Sequence, residues 1–87
     1  MARQRSMEVI QKSEYVTIGE LVRLTEVRYS TLKFYTEEGM LPFEQAEENL
    51  TRRYRREETE RRILEIKRLR EVGKSIPEIK AIMCPEQ

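Results

Sequence analysis

Residues 17–39, TIGELVRLTEVRYSTLKFYTEEG, read as two short helices joined by a tight polar turn. Thr17-Ile18-Gly19-Glu20 has the form of a capping box: a Thr to accept the backbone N–H three residues on, and a Glu placed to reach back. Ile18, Leu21, Val22 and Leu24 give the helix that follows one apolar face. Thr25-Glu26-Val27-Arg28 is a polar break. The second helix runs from about Tyr29 to Glu38, with Ser30 or Thr31 in its first turn and Leu32 and Tyr35 sharing a face. Gly39 is placed to close it in the left-handed conformation. Two short helices around a three- or four-residue turn make a helix-turn-helix pattern.

Downstream, Met40-Leu41-Pro42-Phe43 is extended, because Pro42 pushes Leu41 out of the α region. Glu44 to Asn49 is polar, and Leu50 to Tyr54 can return as a strand, so a short hairpin or flap is expected; Asn49-Leu50 is a poorer turn than Asn-Gly. From about Arg56 the helical period resumes. Ile63, Ile66, Leu69 and Val72 recur every three residues with Leu64 alongside, and Glu57–Arg61 and Glu58–Arg62 are favourable i, i+4 pairs. Gly73 ends this helix. Ser75-Ile76-Pro77-Glu78 is a second capping box with Pro in the first turn. Ile76, Ile79, Ile82 and Met83 form the inward stripe of the last helix, and Pro85 stops it. The core expected where the helices meet is Leu21, Leu32, Ile66, Leu69 and Ile79.

Upstream, residues 1–14 are a polar arm, either a weak helix or disordered, with Met7 and Ile10 as its apolar pair. Residues 15–84 form the domain, and 85–87 a tail. At 87 residues the chain is one domain with a small core. It carries 17 Lys plus Arg against 16 Asp plus Glu, net +1, which excludes both a disordered polyelectrolyte and a uniformly basic protein. The balance is segmental. Residues 14–49 carry net −5, whereas residues 50–74 hold ten Lys or Arg against five Glu. The densest basic spot is Arg52, Arg53, Arg55 and Arg56, interrupted by Tyr54. Such a run suits a phosphate backbone; from charge alone, a solvated helix start balanced by Glu57, Glu58 and Glu60 explains it slightly better.

The apolar runs are too short for a transmembrane helix or a signal peptide. The single cysteine, Cys84, cannot form an internal disulfide, which fits a reducing cytoplasm. Histidine is absent, removing the commonest metal ligand and general base. There is no Gly-rich phosphate loop and no Cys pair, and Glu57 and Glu58 are helix neighbours that point apart. No catalytic residue, metal ligand or cofactor is assigned, and the chain is not expected to be an enzyme.

The ordered series Thr17-Ile18-Gly19-Glu20-Leu21, Thr31-Leu32-Lys33-Phe34-Tyr35, Gly39-Met40-Leu41-Pro42, Arg52-Arg53-Tyr54, Ile66 to Gly73 and Glu78-Ile79-Lys80 resembles the DNA-binding domain of MerR-type transcriptional regulators, over about Tyr15 to Met83. The resemblance implies a mainly α fold: a winged helix-turn-helix with a small two-stranded wing and a C-terminal helical pair. It implies a sequence-specific binder of double-stranded DNA. The helix Tyr29 to Glu38 would enter the major groove, and Pro42 to Tyr54 would form the wing on the flanking backbone. The expected DNA contacts are Arg28, Tyr29, Ser30, Thr31, Lys33, Tyr35, Arg52, Arg53 and Tyr54. Implied partners are an inverted-repeat operator, a second copy of the chain, and RNA polymerase.

The departures from the family pattern are specific. Lys33-Phe34-Tyr35-Thr36 stands where Arg-Tyr-Tyr-Glu is usual. Lys33 keeps the charge but loses the planar fork, and Phe34 loses a hydroxyl. Leu50-Thr51-Arg52 stands where Gly-Tyr-Arg is usual. Glu44, Glu47 and Glu48 would be repelled by phosphates, so the returning strand Thr51 to Tyr54 is expected to make the contact, not the wing tip. Family members continue into a long coiled coil and an effector domain. A chain stopping at Gln87 is similar either to the branch of glutamine-synthetase repressors, which pairs through residues before the domain, or to a domain cut after its last helix. Pairing is then expected through the N-terminal arm or the last helix, and weakly in free solution. Two readings compete: a DNA-architecture factor of excisionase or partition type, and a helical protein–protein module whose Arg-rich helix docks on an acidic partner.

Overall fold

The computed structural model describes residues 4–48 and 50–84. The element order is α1 (Met7–Gln11), β1 (Tyr15–Val16), α2 (Ile18–Thr25), α3 (Tyr29–Glu37), β2 (Tyr54–Arg55), α4 (Arg56–Glu71) and α5 (Ile76–Met83). Both capping boxes form. Thr17 Oγ1 accepts from the Glu20 N–H at 3.2 Å while Glu20 accepts from the Thr17 N–H at 2.9 Å, and Ser75 and Glu78 do the same at 3.3 and 2.8 Å. The turn between α2 and α3 is made by Glu26, which adopts φ 61°. Thr25 supports that turn, its hydroxyl donating to the Leu21 carbonyl and accepting from the Val27 N–H. After α3, Gly39 takes φ 81°. The Met40 N–H then bonds the Tyr35 carbonyl and the Gly39 N–H the Thr36 carbonyl, the paired closure of a helix that a left-handed residue permits.

The small sheet is present, but its strands are not the two arms of the wing. β1 pairs antiparallel with β2, Tyr15 opposite Arg55 and Val16 opposite Tyr54. The wing arms meet at one bridge, where Glu44 and Arg53 exchange both backbone bonds at 2.8 Å. Leu50 to Arg52 does not pair as a strand. Pro42 cannot donate to a ladder, and the loop is instead closed by local bonds from the Leu50 N–H to the Glu47 carbonyl and from Gln45 to the Leu50 carbonyl. The Asn49 turn and the Pro85 stop lie outside the described residues.

The core joins all five helices: Ile10, Leu21, Leu32, Ile66 and Ile79 are fully buried, with Leu69 nearly so. Val72 and Leu64, expected inward, are exposed. Steps of three fall short of the helical repeat by about 60° each, so Val72, nine residues beyond Ile63, has drifted to the opposite face. Ile82 is likewise exposed, while Ile76 and Met83 pack against the core. Arg62 does not pair with Glu58; its Nε donates to the Met40 carbonyl at 2.6 Å and fastens α4 to the turn after α3.

Residues 4–14 are not a loose arm. Ser6 caps α1 by accepting from the Val9 N–H, and Ile10 enters the core, which leaves it unavailable for pairing with a second copy. Arg5 grips Glu20 through two bonds, 2.7 and 2.8 Å, and also reaches Ser13 and the Tyr15 carbonyl. The Arg5 hydrogen bond, chiefly, holds the Glu20 carboxyl below the usual carboxylate range.

Two expectations follow. Leu32→Ala and Ile10→Ala should each cost about 2–5 kcal/mol, read by denaturant melts. Glu20's folded pKa lies below its unfolded value near 4.3, so its contribution is complete above that pH and is lost as acid drives pH through the folded value. Arg5→Ala should raise the Glu20 pKa in an NMR titration, and its stability deficit against wild type should narrow below about pH 4.

Candidate nucleic-acid interface

α3 is anchored by Leu32, Tyr35 and Thr36, all buried. At about 100° per residue, the face opposite these three carries Ser30, Lys33, Phe34 and Glu37, and all four are exposed. Arg28 precedes the helix as its N-cap residue, exposed and with no side-chain bond to the first turn. α1, α2 and α5 are each capped by a hydroxyl and carry an acid in the first turn. α4 lacks the hydroxyl but has Glu57 and Glu58, whereas α3 has neither device. Its N-terminus is therefore the one helix start, among the described residues, with no negative or accepting side chain to offset the positive end of the helix dipole.

Two shoulders flank this helix. On one side Tyr29 and Lys33 share a depression with Gln45, Leu50 and Arg52 of the wing. The Arg52 guanidinium lies 4.7 Å over the Phe43 ring, and Phe43 leans on Tyr54 with ring centroids 6.1 Å apart. On the other side Thr31 shares a depression with Tyr35 and with Lys67 and Arg70 of α4. The cations differ in their partners: Arg23, Arg62 and Arg70 donate to the Arg5 carbonyl, the Met40 carbonyl and the Tyr35 hydroxyl. Arg5, Lys12, Arg55, Arg56, Arg68 and Lys80 are each paired with a glutamate. Arg28, Lys33, Arg52, Arg53 and Lys67 form no ion pair with a described residue.

Of the residues expected at the interface, Arg28 ahead of α3 and Tyr29, Ser30 and Lys33 within it are exposed, and Thr31 is half-buried on its flank. Arg53 is exposed and Arg52 half-buried on the wing. Tyr35 and Tyr54 are placed differently. Tyr35 is 5% exposed and its hydroxyl accepts from Arg70 at 3.3 Å. Tyr54 is 1% exposed. Thr36 spends its hydroxyl proton on the Leu32 carbonyl, so Tyr54 donates to Thr36 Oγ1 at 3.0 Å. Both rings belong to the core, where an aromatic's bulk is worth most once its hydroxyl has a partner. Glu44, expected to be kept off phosphates, accepts from the Tyr15 hydroxyl at 3.0 Å.

Lys67 and Arg70 were not among the residues expected from sequence. Each follows a buried isoleucine, Ile63 or Ile66, by four residues, so the edge of α4's buried stripe already carries them. No arrangement of three or more metal-ligating side chains occurs among the described residues, and no helix is long and apolar enough to cross a membrane.

Tyr54→Phe removes the donor to Thr36 while keeping the ring. It should cost about 0.5–1.5 kcal/mol in chemical denaturation, with the fold otherwise retained.

The comparison with protein families matches residues 16–84 to the MerR HTH family regulatory protein. No match was found among curated proteins or among solved structures.

Proposed function

The chain belongs to the MerR helix-turn-helix family, and from that premise we propose that it is a sequence-specific, double-stranded DNA-binding transcriptional regulator acting in the cytoplasm. The observation that carries the reading is that Lys33 on the exposed face of α3, Arg28 at its start, and Arg52 and Lys67 in the depressions on its two sides form no ion pair with a described residue, with Arg53 unpaired beside Arg52 on the wing. A regular polyanion is the complement of such an arrangement.

In this reading α3 lies in the major groove with Ser30, Lys33 and Phe34 toward the base edges. Arg28 and the uncapped first turn meet a phosphate, as open helix amides do. Arg52 and Arg53 hold the backbone on one side, and Lys67 holds it on the other. Tyr35 and Tyr54 act indirectly, by fixing α3 against α4 and against the wing. One recognition helix covers a half-site, so two copies occupy an inverted repeat with their helices about one DNA turn apart, near 34–36 Å. DNA brings the two copies together.

Arg52→Ala should weaken binding to specific and random duplexes alike and make the slope of log K against log salt shallower by about one unit. Lys33→Ala should instead cost about 1–3 kcal/mol at particular base pairs. Anisotropy titrations over a salt series check both. An absence of any affinity for duplex DNA at low salt would overturn the reading in favour of a protein–protein module.

A further inference from the structure

Phe34 has no role in holding the fold that its position explains. It stands on the face of α3 opposite the buried Leu32, Tyr35 and Thr36, and it is 43% exposed. Its neighbours on that face, Ser30, Lys33 and Glu37, are polar or charged. Each of those can exchange hydrogen bonds with more than one base edge, whereas a phenyl ring can exchange none. The ring is also not free to wander: it leans on Tyr35 with centroids 6.1 Å apart and planes at 54°, and Tyr35 is itself buried and bonded to Arg70. An apolar group held on the outward crest of a helix finds one apolar complement in the major groove, the 5-methyl group of thymine.

Resting on the DNA-binding reading above, we propose that Phe34 is the side chain by which α3 recognises a thymine, through van der Waals contact with its 5-methyl group. The contact gives the chain a T·A preference at one position of each half-site. It explains why a phenyl ring, exposed to water in the free protein, sits among polar residues on this face: the ring is covered when the groove closes over it. Lys33 supplies charge on the same face and Arg28 at the start of the helix, and Phe34 supplies discrimination that salt does not screen.

The test uses the full chain and a duplex that it enriches from a random-sequence pool, with each thymine replaced in turn by deoxyuridine, which pairs identically and lacks only the methyl group. Affinities are measured for wild type, Phe34→Ala and Phe34→Gln. Replacing one thymine in a half-site should weaken the wild type about fourfold, the value of burying one methyl group. Both variants should bind the thymine and deoxyuridine duplexes equally, while their thermal melting matches wild type, because the ring lies outside the core. If no deoxyuridine substitution weakens the wild type, or if Phe34→Ala and Phe34→Gln lose as much affinity on that substitution as the wild type does, the assignment of Phe34 is overturned while the DNA-binding reading stands. If the chain enriches no sequence from the pool, both fall together.

Discussion

The donation from the Tyr54 hydroxyl to Thr36 is the contact on which the arrangement of this domain turns. Tyr54 meets three separate parts of the chain. Its backbone pairs with Val16 ahead of the helix-turn-helix, its ring supports Phe43 and through it Arg52, and its hydroxyl ends on α3. The wing has one backbone bridge of its own, and this side chain adds a direct link from it to α3. Because the residue is nearly inaccessible to water, an unmet hydroxyl there would be costly, and the bond to Thr36 on α3 meets it.

Around that node the charges are sorted by what they touch. Glutamate is abundant enough to neutralise nearly every base in the chain, yet none of the ion pairs among the described residues involves Arg28, Lys33, Arg52, Arg53 or Lys67. Arg5 with Glu20 fixes the N-terminal segment, and Arg56 with Glu60 fixes the start of α4. Both pairs are partly buried and tie segments together, whereas the bases flanking α3, Lys33, Arg52 and Lys67, stay without an acidic partner among the described residues.

What the sequence disclosed was local chemistry. Thr17 with Glu20, Ser75 with Glu78, and Gly39 and Gly73 as helix ends are governed by residues within four positions of one another, and all formed as read. Leu21, Leu32, Ile66, Leu69 and Ile79 were legible as core because helical periodicity places them. The rest depended on partners distant in sequence. Ile10 looks like half of a weak arm until the core it enters is known. Tyr54 looks like an aromatic within a basic run until Thr36, eighteen positions earlier, is found beneath it. Arg62 reads as the partner of Glu58 until the Met40 carbonyl is brought within reach. Of the proposed interface, Arg28, Tyr29, Ser30 and Lys33 were readable from the helix alone, while Lys67 and Arg70 needed the packing of α4 beside α3.

The open start of α3 locates a trade-off at one residue. Serine, threonine, asparagine or aspartate at position 28 would close the first turn, and such a cap stabilises a helix by about 0.5–2 kcal/mol. The chain uses a hydroxyl cap at three of its other helices and forgoes it here. A cation beside the positive end of a helix is itself unfavourable, and here, unlike at Arg55 ahead of α4, no first-turn glutamate offsets it. Stability given up at a single surface residue, with no packing reason nearby, marks a position kept for something outside the fold.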